Sequence, residues 1–220
     1  MGDRLAWFED GSRRPATKNL VKGDRVYGER LVYLDGEEYR LWNPYRSKLS
    51  AALLKGLKQM PIREGTKVLY LGASTGTTVS HVSDLVGDEG IVFAVEVSPR
   101  VMREFIERVA KKRGNVVPIL EDARKPLEYP SVFTKVDVVY CDVAQADQTE
   151  IAIENSKVYL RRHGYLMLIV KARSIDVTKK PSFIFEREVK KLKRSGFEII
   201  QIVSLEPYDK DHALILARRQ

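Results

Sequence analysis

The stretch VLYLGASTGTTVSHVSDLV, residues 68–86, joins an apolar run to a turn of small residues and then to a helical pattern. We expect the run up to Leu71 to form a buried strand, because short apolar runs bounded by turn signals are typical of parallel sheets. The small residues from Gly72 to Gly76 permit a tight turn and a close approach of the backbone to a ligand. A helix is predicted from about Thr77. The G-x-x-x-G spacing differs from the G-x-G-x-x-G that cradles a dinucleotide pyrophosphate, so the turn indicates another kind of ligand.

On either side of this stretch, short apolar runs alternate with amphipathic helical patterns, which predicts a parallel sheet with helices on both faces. The predicted strands are 67–71, 91–95, 116–120, 136–141 and 165–170, the predicted helices are 47–60, 77–86, 100–112, 148–160 and 183–195, and the two closing strands are 198–205 and 212–217. Only EPYDKD separates the closing strands. That link is too short for a parallel crossover, so the last strand should be antiparallel to its predecessor. The predicted fold class is therefore α/β, with the mostly parallel sheet and antiparallel last strand of a Rossmann-like S-adenosylmethionine methyltransferase.

The first 46 residues are predicted to form a small N-terminal β-rich subdomain, and residues 47–220 the methyltransferase domain. The segment LVYLDGEEYRLW, residues 31–42, has two apolar-aromatic runs around Asp35-Gly36, a strong signal for a hairpin. A further strand is predicted around residues 25–27. Either the exposed strand edges of this subdomain bind a protein, or the subdomain is a lid packed on the main domain.

The composition restricts the class of protein but leaves its partner open. Of 220 residues, 38 are Lys or Arg and 30 are Asp or Glu, which gives a net charge of +8. This excess favours a polyanionic partner such as nucleic acid, or equally a surface rich in ion pairs. The single cysteine rules out an internal disulfide, and the three histidines lack zinc-ligand spacing, so no metal site is expected. Without a membrane-length apolar run or a signal-peptide pattern, we expect a soluble, cytoplasmic protein.

Acidic residues follow three consecutive predicted strands. Glu96 ends the second strand, where a carboxylate is placed to accept the ribose hydroxyls of an adenosyl group. Asp122 follows the third strand, where an adenine would lie, and Asp142 follows the fourth, near the amino-acid end of the ligand. Each acid alone is equally well explained as a helix cap or a solvated loop residue. Together with the glycine turn, the three acids suit a cationic, amine-bearing ligand better than a diphosphate.

Seven segments resemble the fibrillarin family of RNA-guided ribose 2′-O-methyltransferases. They are NPYRSKLSAAL, VLYLGASTGTTVSHVSD, VEVSPR, EDARKP, DVAQADQT, IVKARSID and LEPYDKDHA, spread over residues 43–213. The chain is similar to the compact archaeal form, without the glycine- and arginine-rich N-terminal tail of eukaryotic members. The resemblance implies S-adenosyl-L-methionine as the cofactor and a Lys-Asp-Lys-His active site, which falls on Lys48, Asp142, Lys171 and His212.

The resemblance also implies a set of cofactor contacts after the strands. These residues are Thr77, Thr78, Glu96, Val97, Asp122, Ala123, Asp142, Val143, Ala144 and Gln145. The geometry of the turn adds Gly72 and Ala73. His81, on the helix after the turn, is interpreted as a packing or capping residue, and Cys141 as an inward-facing strand residue.

The implied chemistry is an in-line displacement, because the sulfonium of the cofactor makes its methyl group electrophilic. Asp142 and Lys171 fall at the carboxyl ends of predicted strands, where open α/β sheets bind ligands. We expect Lys171 to contact the ribose 2′-oxygen and Asp142 to orient both Lys171 and the methionine end of the cofactor. Two roles of Lys171 stay open: a base that takes the hydroxyl proton, or a positive charge that stabilises the alkoxide.

The partners that the resemblance implies are a box C/D guide RNA paired with the target RNA, a Nop-domain scaffold protein and a kink-turn-binding ribosomal-type protein. The basic clusters Arg161-Arg162 and Lys111-Lys112-Arg113 either contact RNA backbone or form solvated helix faces. No aromatic RNA-binding motif is visible in the sequence.

Two rival functions would share the same cofactor site. One is a methyltransferase that acts on protein, for example on glutamine, and the other is a non-catalytic structural subunit. Lys48, Lys171 and His212 suit a hydroxyl nucleophile better than an amide. A structural subunit would have no need for the complete set of four residues.

Overall fold

The computed structural model describes residues 4–9, 11–129 and 131–220, and within these residues the strands form two sheets. The N-terminal sheet is antiparallel, in the order β1-β2-β4-β3, with β1 Leu5–Glu9, β2 Arg13–Lys18, β3 Leu31–Leu34 and β4 Glu37–Leu41. The large sheet has the order β10-β11-β9-β8-β5-β6-β7. Its strands are β5 Lys67–Leu71, β6 Ile91–Glu96, β7 Val116–Leu120, β8 Val136–Cys141, β9 Leu160–Lys171, β10 Phe197–Ser204 and β11 His212–Arg219.

The helices lie between these strands along the chain. They are α1 Lys48–Leu54, α2 Thr77–Val86, α3 Pro99–Arg108, α4 Gln148–Tyr159, α5 Ala172–Ile175 and α6 Pro181–Arg194, with 3-10 turns at Ala110–Lys112 and Pro126–Glu128. None of the helices in the described ranges is both long and apolar enough to span a membrane.

The strand directions confirm the predicted fold class. Strands β5 to β9 pair in parallel, whereas β11 is antiparallel to both β9 and β10. Because the carboxyl ends of the parallel strands meet at one edge of the sheet, the loops after β5, β6, β7, β8 and β9 gather there. The glycine turn, Asp122 and Asp142 lie on these loops, and Glu96 is the last residue of β6.

The core occupies both faces of the large sheet, because side chains along a buried strand point alternately to opposite sides. On β5, Val68 and Tyr70 pack into the layer that contains α2, and Leu69 and Leu71 into the layer that contains α4 and α6. All four are no more than 2% exposed. Each such side chain stabilises the fold by about 1.5–3 kcal/mol relative to the exposed state. Helices on both faces are therefore required to cover the apolar runs that the sequence contains.

The N-terminal hairpin is confirmed. Strands β3 and β4 pair antiparallel around Asp35 and Gly36, which have φ values of 51° and 78°. Positive φ at both central residues is the type I′ turn that matches the twist of the two strands.

The strand predicted around residues 25–27 is wrong. Its backbone amides are used by a local turn: those of Val26 and Tyr27 donate to the carboxylate of Glu29 over 3.0 and 2.8 Å. Gly28, with φ of 83°, redirects the chain there. The first two strands of the sheet instead lie further towards the N-terminus, at β1 and β2.

The helix predicted over residues 47–60 is too long. Helix α1 ends at Leu54 because Gly56 has φ of 89° and the amides of Gly56 and Leu57 donate back to Leu53 and Ala52, at 3.1 and 2.9 Å. This is a Schellman ending, which stops a helix at a glycine. The backbone oxygen of Ser47 accepts from Ala51 at the predicted N-terminus, but its hydroxyl binds Thr78 instead of capping the helix.

The other boundaries shift modestly. Strand β9 begins at Leu160 instead of residue 165, directly after α4, and pairs with β8 across an irregular register between Val136 and Val138. The polar residues 161–164 carry no strand pattern of their own, and they fall in the irregular part of the register between Leu160 and Tyr165. Helix α3 ends at Arg108, and residues 110–112 continue it as a 3-10 turn.

A buried ion cluster attaches the N-terminal sheet to α2. The guanidinium of Arg40, on β4, donates to Asp84 over 2.8 Å and to Glu29 over 2.6 Å, and Arg113 donates to the second oxygen of Asp84 over 2.6 Å. These four side chains are at most 6% exposed. Since a buried charge without a partner is strongly destabilising, the cluster holds the sheet on the large domain. The division of the chain at residue 46 stays a prediction.

Candidate active site

The turn between β5 and α2 is built for close contact with the loop after β8. Gly72 has φ of +83°, and a Cβ there would lie 2.9 Å from the backbone oxygen of Asp142. The amides of Gly72 and Ala73 both donate to the backbone oxygen of Val95, at 3.0 and 2.9 Å. Only glycine combines this conformation with this approach. The turn therefore brings the ends of β5, β6 and β8 together.

Two clefts open at this edge of the sheet and meet at Gly72, Ser74 and Asp142. The first, which we call the acid cleft, has a volume of about 410 Å³ and is lined by Gly72, Ser74, Val95, Glu96, Val97, Glu121, Asp122, Ala123, Arg124, Asp142, Val143, Ala144, Gln145, Ile151 and Lys171. The second, the lysine cleft, has a volume of about 190 Å³ and is lined by Pro44, Tyr45, Arg46, Ser47, Lys48, Tyr70, Gly72, Ala73, Ser74, Thr75, Thr77, Thr78, Asp142 and Asp209. Every cofactor contact predicted from the sequence lies on one of these two clefts.

Backbone amides fix the carboxylate of Glu96 at the rim of the acid cleft. One of its oxygens accepts from the amide of Ser74 over 2.9 Å and the other from the amide of Ser98 over 3.0 Å. Each carboxylate oxygen has a second lone pair, so both stay available to a hydroxyl of a ligand. The contact with Ser74 has no signal in the sequence because it crosses from one loop to another.

Arg124 also lines the acid cleft. Asp122 accepts from the amide of Arg124 over 2.9 Å, and the guanidinium of Arg124 binds Asp147 over 2.9 Å. The hydrogen bond from Arg124 holds the pKa of Asp147 below its usual range. The side-chain oxygen of Gln145 also accepts from Arg124 over 2.8 Å, so this arginine ties the loops after β7 and β8 together.

Lys171 and Lys48 share one carboxylate where the clefts meet. The Nζ of Lys171, at the end of β9, lies 2.9 Å from Oδ1 of Asp142 and donates to its backbone oxygen over 2.8 Å. The Nζ of Lys48, at the start of α1, lies 3.2 Å from Oδ2 of the same residue. The hydroxyls of Ser47 and Thr78, 2.9 Å apart, hold the start of α1 against α2 and so fix the position of Lys48. Three of the four predicted catalytic residues are thus in direct contact.

His212 joins this group only through Asp209, a residue that the sequence motifs do not single out. The Nδ1 of His212 lies 2.9 Å from Oδ1 of Asp209, and Oδ2 of Asp209 lies 3.7 Å from the Nζ of Lys48. His212 lines neither cleft, although it stands opposite Lys171 in the pairing of β11 with β9. The available signal is an acid three residues before a histidine, in the turn 206–211. By its length alone, that turn indicates only a short link between two strands.

Opposing effects act on the Asp209 carboxyl. Partial burial favours its neutral form, but the hydrogen bond with His212 and the charges of His212, Lys48 and Lys171 outweigh burial and hold the pKa of Asp209 below its usual range. At neutral pH Asp209 is therefore a carboxylate, and it lies between His212 and Lys48.

Other residues singled out in the sequence lie away from the clefts. His81 is fully buried between the hydroxyls of Thr17 and Tyr27, at 2.7 and 2.8 Å, as expected for a packing residue. Cys141 is fully buried in β8, as predicted. Arg113 is only 1% exposed and pairs with Asp84, so it belongs neither to an RNA contact nor to a solvated face.

Comparison with known proteins agrees with this geometry. A sequence model of the family Fibrillarin matches residues 5–220. A fibrillarin-like rRNA/tRNA 2′-O-methyltransferase from Staphylothermus marinus is 60% identical over 217 residues, which cover 99% of this chain and 92% of that protein.

Two solved structures are also similar. The structure of Aeropyrum pernix fibrillarin in complex with natively bound S-adenosyl-L-methionine has a TM-score of 0.88 and 52% identity, over 97% of this chain and 92% of that one. The chain of a fibrillarin/Nop5p complex has a TM-score of 0.88 and 41% identity, over 99% and 98% of the two chains. With the family pattern spanning nearly its whole length and relatives of this identity, the chain belongs to the fibrillarin family.

Proposed function

We propose that the chain is the catalytic subunit of a box C/D guide-RNA ribonucleoprotein and transfers a methyl group from S-adenosyl-L-methionine to the ribose 2′-hydroxyl of RNA. The observation that carries this proposal is the carboxylate of Asp142, which binds Lys171 and Lys48 where the two clefts meet. The activity of the Staphylothermus marinus relative, an rRNA/tRNA 2′-O-methyltransferase by name, supports the reaction and the substrate class.

The two clefts fit the cofactor by the chemistry of their donors. Glu96 offers carboxylate oxygens for the ribose hydroxyls, and the turn at Gly72 lets the ligand pass close to the backbone. The acidic lining suits an amine-bearing, positively charged ligand, and the bound cofactor in the Aeropyrum pernix structure supports this choice. The proposed contacts are Gly72, Ala73, Thr77, Thr78, Glu96, Val97, Asp122, Ala123, Asp142, Val143, Ala144 and Gln145. The hydroxyl of Thr78 already bonds to Ser47, and at least one of its lone pairs stays available to a ligand.

The bound cofactor supplies an electrophilic methyl group, and the residues of this chain orient the hydroxyl that attacks it. The proposed catalytic set is Lys48, Asp142, Lys171 and His212. Asp142 holds the Nζ of Lys171 through two oxygens, one of the backbone and one of the carboxylate. Because these two oxygens hold the Nζ of Lys171 where the two clefts meet, we assign Lys171 to electrostatic stabilisation of the negative charge that develops on the 2′-oxygen.

The partners follow from the family. A scaffold protein with a Nop domain is supported by the structure of the fibrillarin/Nop5p complex. We extend the proposal to a box C/D guide RNA that pairs with the target RNA and to a kink-turn-binding ribosomal-type protein. Selection of the nucleotide by base pairing removes the need for base-reading side chains around the clefts.

The test is methyl transfer from labelled cofactor to guide-paired RNA in the assembled complex. Label in a ribose substrate, and none in a matched substrate with deoxyribose at the target nucleotide, is the expected result. The variant Lys171→Ala should lower the rate by at least about a hundredfold. The control is Lys67→Ala, which replaces an exposed lysine at the opposite end of β5. This variant should keep the rate of the wild type. Label on protein, or an active Lys171→Ala variant, would contradict the proposal.

A further inference from the structure

Two tyrosines that are far apart in sequence are in contact next to the lysine cleft. Tyr45 lies in the loop before α1 and lines the cleft, and Tyr208 lies in the turn between β10 and β11. Their ring centroids are 5.2 Å apart with an angle of 72° between the planes. Tyr45 is 71% exposed, so this edge contact leaves most of its ring open to solvent.

A third cleft shares Tyr45 with the lysine cleft. We call it the arginine cleft; it has a volume of about 240 Å³ and is lined by Ser12, Arg13, Arg14, Asn43, Pro44, Tyr45, Leu54 and Tyr208. Among the described residues that line it there are two arginines and no carboxylate. Arg13 lies over the ring of Trp7, 4.5 Å from its centroid, and Arg14 donates to the hydroxyl of Ser12 over 3.2 Å. Both guanidinium groups keep donors for a phosphate.

The charge between the two clefts is positive. In the lysine cleft, the carboxylates of Asp142 and Asp209 are already matched by lysines. Arg46, which lines the lysine cleft, lies 5.7 Å from the centroid of the Tyr27 ring and adds a further cation. An open aromatic ring flanked by arginines is the arrangement that holds single-stranded nucleic acid, in which a base stacks on the ring and cations track the phosphates.

We propose that Tyr45, supported by Tyr208, and the arginine cleft form a binding site for the RNA nucleotide next to the reacting ribose. The base of that nucleotide stacks on Tyr45, and its phosphate binds Arg13 and Arg14. The inference rests on the proposed function, because it requires a strand whose ribose enters the lysine cleft.

The site suits an enzyme whose target nucleotide is chosen by pairing with a guide. Every base has a π-face, so stacking tolerates any sequence, whereas hydrogen bonds to base edges would favour one base. Arg13 and Arg14 belong to β2. The N-terminal sheet thereby takes part in substrate binding, in addition to covering α2.

The decisive variant is Tyr45→Leu, which keeps apolar bulk and removes the ring. In the assembled complex we expect the apparent KM for the RNA to rise about tenfold, while the affinity of the chain for S-adenosyl-L-methionine stays that of the wild type. Tyr45→Phe keeps the ring and should recover most of the loss. The matched control is Tyr33→Leu: Tyr33 is 68% exposed on β3 and lines none of the three clefts, so its KM should not change.

Photocrosslinking gives a readout that does not depend on methyl transfer. RNA with 5-iodouridine at the target nucleotide or at either neighbour should crosslink to Tyr45, as mapped by mass spectrometry. Crosslinks confined to other residues, or a Tyr45→Leu variant with the KM of the wild type, would overturn the proposal. So would a Tyr45→Leu variant that loses the scaffold protein instead of RNA affinity, because the ring would then be a protein contact. Failure of the proposed function shows separately, as absence of ribose methylation by the wild type.

Discussion

At the scale of single residues, the carboxylate of Asp209 completes the cluster of proposed catalytic residues. It is the group through which His212 reaches Lys48: its Oδ1 lies 2.9 Å from Nδ1 of His212, and its Oδ2 lies 3.7 Å from the Nζ of Lys48. We predict that Asp209→Asn lowers the methyl-transfer rate by about tenfold, because the negative charge of the Asp209 carboxylate is removed from a partly buried site beside His212 and Lys48. The measurement is single-turnover methyl transfer with saturating RNA and cofactor.

A neighbouring acid provides the control for Asp209. Asp211 lies on the same turn, but its carboxylate pairs with Arg173 over 3.0 Å, outside the cluster. Asp211→Asn should keep the rate, and Asp209→Glu should restore part of it. Equal losses in Asp209→Asn and Asp211→Asn would mean that the turn itself, and not the Asp209 carboxylate, matters for the rate.

A second prediction at the residue scale concerns the reactivity of the Cys141 thiol. Burial in β8 raises the pKa of its thiol to about 12, so at pH 8 only about one molecule in ten thousand carries the reactive thiolate. We expect iodoacetamide to leave Cys141 unmodified in the native protein and to alkylate it in denaturant, as measured by mass spectrometry. The thiol introduced by Ser195→Cys, at an exposed position, is the internal reference. Equal alkylation of both thiols without denaturant would refute the prediction.

At the scale of elements, the turn from β5 to α2 brings the strand ends that form the site together. Gly72→Ala places a Cβ 2.9 Å from the backbone oxygen of Asp142, at φ of +83°. Gly196 has the same φ of +83°, and a Cβ added there would meet nothing within 4 Å, so Gly196→Ala isolates the cost of the conformation. We predict that Gly196→Ala loses about 1–2 kcal/mol in chemical denaturation and that Gly72→Ala loses more, because its Cβ also meets the backbone of Asp142. Only Gly72→Ala should also bind S-adenosyl-L-methionine more weakly in calorimetry. Unchanged affinity in Gly72→Ala would show that the loop after β8 moves without consequence.

Elements are predictable from sequence where a repeating pattern specifies them. The apolar runs predict the strands β5 to β8, and the short link predicts the antiparallel end of the sheet. Contacts between distant loops carry no such pattern. The pairing of Tyr45 with Tyr208 and the link from His212 to Lys48 depend on loop geometry. The sequence therefore predicts residues that the structure brings together at the candidate site, but not how they connect. The N-terminal sheet is harder to predict from the sequence, because a turn around Glu29 uses the backbone amides that a strand at residues 25–27 would need.

At the scale of the whole molecule, His81 couples folding to pH through the interface between the N-terminal sheet and α2. Burial, together with the charges of Arg40 and Arg113, holds the pKa of His81 well below its ordinary value of about 6.5. Below that pH the unfolded chain takes up a proton at His81 and the folded chain does not. The free energy of unfolding should therefore fall by up to about 1.4 kcal/mol per pH unit as pH drops from 6.5 towards 5, and be regained as pH rises.

Denaturant unfolding at a series of pH values measures this slope. His81→Gln keeps a donor and an acceptor for Thr17 and Tyr27 but does not titrate. The slope of the free energy of unfolding against pH, between pH 6.5 and 5, should therefore decrease by the equivalent of one proton. This holds whatever absolute stability the variant loses. His163→Asn is the matched control: His163 is exposed at the start of β9 with φ of 60°, a conformation that asparagine tolerates. Its slope should equal that of the wild type. If His81→Gln retains the full slope, the proton is taken up elsewhere. The N-terminal sheet is then held on α2 by its ion cluster without a pH-dependent contribution from the histidine.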